Sequence, residues 1–107
     1  MFKLAVFTDE ISQDLDVAIK VAKKYKVQGF EIRSAWNKGP HNFSKEEIRT
    51  LKDKINNSGL KVCSIASPFF KCDIDNEKEI KEHLDILKTC CDLANTLGTK
   101  VVRGFTF

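Results

Sequence analysis

Apolar and polar residues along the chain follow two different periods. Four short stretches are rich in β-branched or aromatic residues and bounded by turn residues or charges: "KLAVFT" from Lys3, "GFEIRS" from Gly29, "KVCSIAS" from Lys61 and "KVVRGFTF" from Lys100. Such stretches predict strands. Between them, apolar residues recur every three or four positions, the period of a helix with one buried face. The first helical stretch runs from about Ser12 to Tyr25, with Leu15, Ala18, Ile19 and Ala22 on one stripe and Gly29 just beyond its end. The second opens on a capping box, Ser44 with Glu47, with Phe43 placed to staple onto Ile48. Leu51 and Ile55 continue that stripe, and Gly59 closes it. The third opens near Asp75 or Asn76, carries Ile80, Leu84, Leu87, Cys91 and Ala94, and ends before Gly98.

The resulting order is β-α-β-α-β-α-β. Strand starts recur at roughly 30-residue intervals, the size of a βαβ unit, so the sheet should be parallel with right-handed crossovers. Helices then cover one face, and the other must be hidden by closure or by further helices. A fourth strand with no helix after it leaves apolar surface and a bare edge, which a finished doubly wound domain would cover. Three and a half βα units come close to half of an eight-stranded barrel. The expectation is an α/β half-barrel: residues 1–107 as a single partial domain, strands one to four of a TIM barrel, whether as a gene fragment, a split subunit or a truncated segment.

Composition narrows the range of functions. With 107 residues, 42% of them apolar, the chain can bury one modest core. No apolar run approaches the roughly 20 residues that a bilayer requires. The opening "MFKLAVFTDEIS" reaches acidic residues too soon for a signal peptide, which makes the cytoplasm the default location. A net charge of +3, with lysines spread among acidic residues, gives nucleic-acid binding little support. Cys63, Cys72, Cys90 and Cys91 show no C-x-x-C spacing and read as reduced, mostly buried thiols.

"FTDEISQDL" after strand one, "GFEIRSAW" at strand two, "GLKVCSIASPFFKCD" at strand three and "LANTLGTKVVRGFTF" at strand four resemble, in that order, the sugar phosphate isomerase/epimerase family of xylose isomerase-like TIM barrels. The superfamily also includes endonuclease IV. The resemblance implies a full barrel of about 250 residues. It also implies a divalent metal (Mn, Mg, Co or Zn) and isomerisation or epimerisation of a sugar or sugar phosphate by proton transfer. The family's metal-binding Glu, Asp and His residues sit mainly on strands five to eight, so no metal ligand carries over to this chain and none is expected to bind to it alone.

In a closed barrel one face of each strand looks inward, and alternate strands share layers. If Phe30, Ile32 and Val102 pack outward, then Glu31, Arg33 and Arg103 point inward. Buried charges need partners. Three readings stand: a structural ion pair of Glu31 with Arg103 or Arg33, an arginine that binds a substrate hydroxyl, carboxylate or phosphate through its planar fork, or a register that exposes these charges. Asp9 and Glu10 follow strand one, where a carboxylate either orients sugar hydroxyls or favours a helix N-terminus. Thr8 bonds either a substrate or its own turn. In the long loop "SAWNKGPHN", Trp36 is either a wall for a sugar ring or a cap on the barrel end, and His41 reads as a loop residue. Ser67 and Lys71 in "SPFFKCD" complete the candidate substrate contacts, while Phe69 and Phe70 read as packing and His83 as an exposed helix residue.

Three functions compete. The first is the N-terminal part of a metal-dependent sugar or sugar-phosphate isomerase/epimerase, nearly inactive by itself. The second is a non-catalytic half-barrel assembly module that pairs with itself or with a complementary C-terminal half. The third is an endonuclease IV-like fragment acting on abasic DNA, which the weak charge disfavours.

Overall fold

Residues 3–106 are described by a computed structural model. Met1 and Phe2, ahead of the first predicted strand, and Phe107, the last residue of the fourth, lie outside the described residues. The elements are β1 (Ala5–Phe7), α1 (Thr8–Ile11), α2 (Leu15–Lys24), β2 (Gly29–Ile32), a 3-10 turn (Pro40–Asn42), α3 (Lys45–Ser58), β3 (Lys61–Ala66), α4 (Glu77–Leu97) and β4 (Val102–Arg103). The strands form one parallel sheet in the order β1-β2-β3-β4. Parallel strands joined in sequence by helices are the architecture of half a barrel, as the strand spacing predicts.

Register shows which side chains share a face. Phe30 pairs with Val62, Ile32 with Ile65, and Ile65 with Val102. Phe30, Ile32 and Ile65 are fully buried against Leu15, Ala18 and Ala22 of α2, Leu51 and Ile55 of α3, and Cys90, Leu93 and Ala94 of α4. Side chains alternate along a strand, so Phe7, Glu31 and Ser64, which pair across β1, β2 and β3, face away from the helices. A bulge inserts Cys63 between Val62 and Ser64, and it restores this alternation on both sides of the kink.

Local signals explain the helix ends. Ser44 Oγ accepts from the Glu47 amide at 3.1 Å while Glu47 Oε1 accepts from the Ser44 amide at 2.8 Å, the reciprocal capping box. Gly59 and Gly98 each end a helix at φ 81°, the left-handed conformation that glycine adopts without strain.

Three expectations are corrected. The first helix does not run unbroken from Ser12. A one-turn helix ends at Ile11 and Ser12 is extended; Asp14 then caps a new start by accepting from the amides of Asp16 and Val17. On α4 the buried line is Cys90, Leu93 and Ala94, with Ile86 and Leu97 beside it, whereas Leu84 and Cys91 are exposed. A helix of 21 residues, at about 1.5 Å per residue, is longer than the six-residue β3, so its N-terminal half packs on loops instead of the sheet. Of the four cysteines, Cys90 is buried, Cys72 intermediate, and Cys63 and Cys91 exposed. No helix among the described residues is long and apolar enough to cross a membrane.

Candidate functional site

All four strands run in the same direction, so their C-terminal ends open onto one common rim. On the β1–β2 side, Arg33 Nε donates to Asp9 Oδ2 at 2.9 Å, and its Nη2 lies 3.7 Å from Glu10 Oε1. The same guanidinium sits 4.4 Å above the Phe7 ring. Thr8, fully buried, donates to the Ser34 carbonyl at 3.2 Å, which ties the end of β1 to the end of β2. Gln13 reinforces that corner: its amide donates to Ser34 Oγ at 2.8 Å, its side-chain oxygen accepts from the Asn37 amide at 2.9 Å, and its carbonyl accepts from the Trp36 amide at 2.8 Å.

On the β3–β4 side, Arg103 donates through Nη2 to the Ser67 carbonyl at 3.1 Å and stacks 4.4 Å over the Phe105 ring. Lys71 Nζ approaches the same ring at 5.9 Å. The Phe105 amide donates to the Phe69 carbonyl at 2.8 Å, and Phe69 stacks on Phe70 at 3.8 Å. Between the two clusters, Glu31 accepts from Ser64 Oγ at 2.8 Å.

The structure therefore joins Glu10 with Arg33, and Ser67 and Lys71 with Arg103. It does not join Glu31 with either arginine: among the described residues Glu31 makes no ion pair, and the structural pair expected with Arg103 or Arg33 is replaced by the Ser64 hydroxyl. Ser67 is fully buried, its hydroxyl donating to the Arg103 carbonyl and accepting from the Phe69 amide, so it fastens strand ends and presents no surface to a ligand. Trp36, at φ 52°, packs half-buried against the core with its ring edge on Phe43, centroids 5.7 Å apart. Sequence reasoning missed Gln13, Phe105 and the inward turn of His83. Phe105 carries the one usable signal, its place two residues after Arg103.

Charge is unevenly compensated around this rim. Two carboxylates neutralise Arg33, whereas Arg103 and Lys71 pair with no carboxylate among the described residues. Two buried polar atoms of the rim have no hydrogen-bond partner among the described residues, the acceptor Asp9 Oδ1 and the donor Arg103 Nε. Leaving such atoms unsatisfied costs about 1–3 kcal/mol each, and, like the Ser67 hydroxyl, they present no surface to a ligand. No three His, Cys, Asp or Glu side chains among the described residues gather where they could hold a metal ion. A groove of about 600 Å³ lies at the opposite end of the sheet, lined by Lys3, Ala5, Lys23, Lys26, Lys61 and Cys63 among others, away from this chemistry.

Comparison with known proteins agrees with the architecture. The family described as xylose isomerase-like TIM barrel matches residues 19–106. No curated protein matches the chain. Among solved structures, the probable 3-DHS dehydratase AsbF involved in petrobactin synthesis from Bacillus anthracis is similar over 97% of this chain and 38% of its own, with 18% identity and a TM-score of 0.71. A xylose isomerase domain protein from Planctomyces limnophilus is similar over 99% of this chain and 42% of its own, with 18% identity and a TM-score of 0.69. The chain thus spans about two fifths of the length of these structures.

Proposed function

Because the chain belongs to the xylose isomerase-like TIM barrel family, we propose that it supplies one wall of the substrate pocket in an enzyme that isomerises or epimerises a sugar or sugar phosphate. The observation that carries this reading is the positive charge of Arg103 and Lys71 on the β3–β4 side of the rim, which pairs with no carboxylate among the described residues. In this reading Asp9 holds Arg33 in place through Oδ2, and the exposed carboxylate of Glu10 beside them meets a substrate hydroxyl. Arg103, stacked on Phe105 and without a carboxylate partner among the described residues, binds a carboxylate, phosphate or hydroxyl of the substrate, and Lys71 adds a second positive charge nearby. Glu31, set by Ser64, lines the pocket between them.

A divalent metal, Mn, Mg, Co or Zn, belongs to the proposal for the full-length protein, where it would polarise a carbonyl or hydroxyl pair. The described residues of this chain hold no group of three His, Cys, Asp or Glu side chains that would make up a ligand set for it. The partner that completes the pocket is a complementary C-terminal half-barrel.

Solvent-deuterium exchange tests the reaction class. A complete barrel containing this segment, incubated with candidate keto-sugars and sugar phosphates in deuterated water, should place deuterium on the carbon next to the carbonyl as isomers interconvert. Release of water with formation of a carbon–carbon double bond, and no exchange without it, would replace isomerisation by dehydration.

A further inference from the structure

His41 and His83, 42 positions apart in the sequence, are brought together by the fold. The turn Pro40–Asn42 packs against α4. His41 Nδ1 is buried without a hydrogen-bond partner among the described residues, and burial first, then the neighbouring His83, holds the His41 imidazole below the ordinary histidine value. His83, half-buried on α4, accepts a hydrogen bond at Nδ1 from the Phe70 amide at 2.9 Å. A backbone amide can only donate, so this bond requires a lone pair at Nδ1 and the proton of a neutral ring at Nε2.

The segment held by this bond is conformationally constrained. Phe70 has φ 62°, a left-handed conformation that a bulky residue keeps only where its surroundings fix it. Its ring stacks on Phe69, whose carbonyl accepts from the Phe105 amide at 2.8 Å. The Phe69 ring passes so close to Gly104 that a Cβ there would lie 2.9 Å from it. Phe105 in turn carries the Arg103 guanidinium and approaches Lys71. A continuous series of contacts therefore runs from one imidazole to the cationic side of the rim.

We infer that His83 is a pH-sensitive positioning residue for the β3–β4 corner: its neutral imidazole holds Phe70, and through Phe69 and Phe105 the platform beneath Arg103. Protonation at Nδ1 sets a donor against the Phe70 donor and loosens the loop. The charged and titratable groups on the elements around it are Glu79 one turn earlier on α4, His41 on the 3-10 turn packed against α4, and Lys71, Cys72 and Asp73, which follow Phe70 in the sequence. The consequence for ligand binding rests on the reading of Arg103 as an anion contact; the hold on Phe70 does not.

The test follows the Phe70 amide of the isotope-labelled chain by NMR between pH 5 and 8.5, in the wild type, His83→Asn and His83→Leu, with inorganic phosphate as the anion probe. The asparagine Oδ1 takes the place of Nδ1 and does not titrate. In the wild type, exchange protection at Phe70 should fall about tenfold as the His83 ring nitrogens become protonated. His83→Asn should keep protection at every pH, and His83→Leu should lack it throughout. Phosphate affinity at the corner should fall several-fold in the wild type in acid and in His83→Leu, but not in His83→Asn. Protection at Phe70 that ignores His83 protonation, or that survives in His83→Leu, overturns the inference. If Phe70 follows His83 but phosphate binds none of the three proteins, the role of His83 stands and the anion reading of Arg103 falls. Equal phosphate binding by all three, with Phe70 released, overturns the link from loop to arginine.

Discussion

Ser64 donates its hydroxyl to Glu31 Oε1 at 2.8 Å across β2 and β3, beside the bulge at Cys63. A half-buried carboxylate is thus satisfied by a neutral donor, and neither strand arginine is needed to balance it. Ser64→Ala should cost about 1–2 kcal/mol, since it leaves the carboxylate without this donor. Glu31→Gln and Arg103→Met share no partner, so their stability effects should add to within about 0.5 kcal/mol, whereas Ser64→Ala and Glu31→Gln should couple. Urea unfolding of the single and double variants decides this. Strong coupling between Glu31 and Arg103 would restore the direct ion pair.

Asp9 and Arg33 form the better-defined ion pair, yet the arginine side chain is 38% exposed, so solvent screens much of its contribution. Asp9→Asn should lower stability by no more than about 1 kcal/mol. In a complete barrel the same change should reduce kcat/KM about tenfold, because Asp9 fixes Arg33 beside the Glu10 carboxylate assigned to a substrate hydroxyl. Melting and kinetics measured on one preparation separate the two roles. A large loss of stability with unchanged kinetics would make the pair purely structural.

Ser44 and Glu47 allow a pH prediction. The Glu47 carboxyl is held below its ordinary value of 4.5, first by the Ser44 amide and next by Lys38. A carboxylate whose folded value is depressed contributes stability that is fully present above the unfolded value and is lost as pH falls through the folded one. Acid should therefore erode this contribution below about pH 4.5, and Glu47→Gln should flatten that part of the stability profile. Ser44→Ala should cost about 1 kcal/mol at neutral pH, measured by thermal unfolding.

These residues also show which features local chemistry could reveal. The capping box, the glycines at φ 81°, the alternation of Phe30 and Ile32 against Glu31, and the parallel order all depend on neighbours within a few residues or on a fixed period. Features set by distant packing did not show. The break before Leu15 depends on Asp14 outcompeting continuation of the helix through Ser12, and the choice of Cys90 over Cys91 depends on how α4 rolls on the sheet. The partners of Arg33, Arg103 and His83 lie 24, 36 and 13 residues away in the chain, and residue type alone does not select among partners at such separations.

The exposed face of the sheet offers a test of what covers it. Cys63 lines the groove at the N-terminal ends of the strands, together with Lys3, Lys23, Lys26 and Lys61, none of which forms an ion pair among the described residues. The Cys63 thiol is pushed up by burial and then by the Glu31 charge, so Glu31→Gln should speed its alkylation near pH 8. Cys90, buried and pushed up to about 11, should resist alkylation until the chain unfolds, while exposed Cys91 serves as the internal standard. A second copy of the chain laid on this face would bring like charges together, whereas a complementary half-barrel with acidic residues would compensate them. Labelling of Cys63 relative to Cys91 should therefore not change as the chain is concentrated through the micromolar range, and should slow when the complementary half is added. Protection of Cys63 that rises with the concentration of this chain by itself would instead make self-association the way the face is covered.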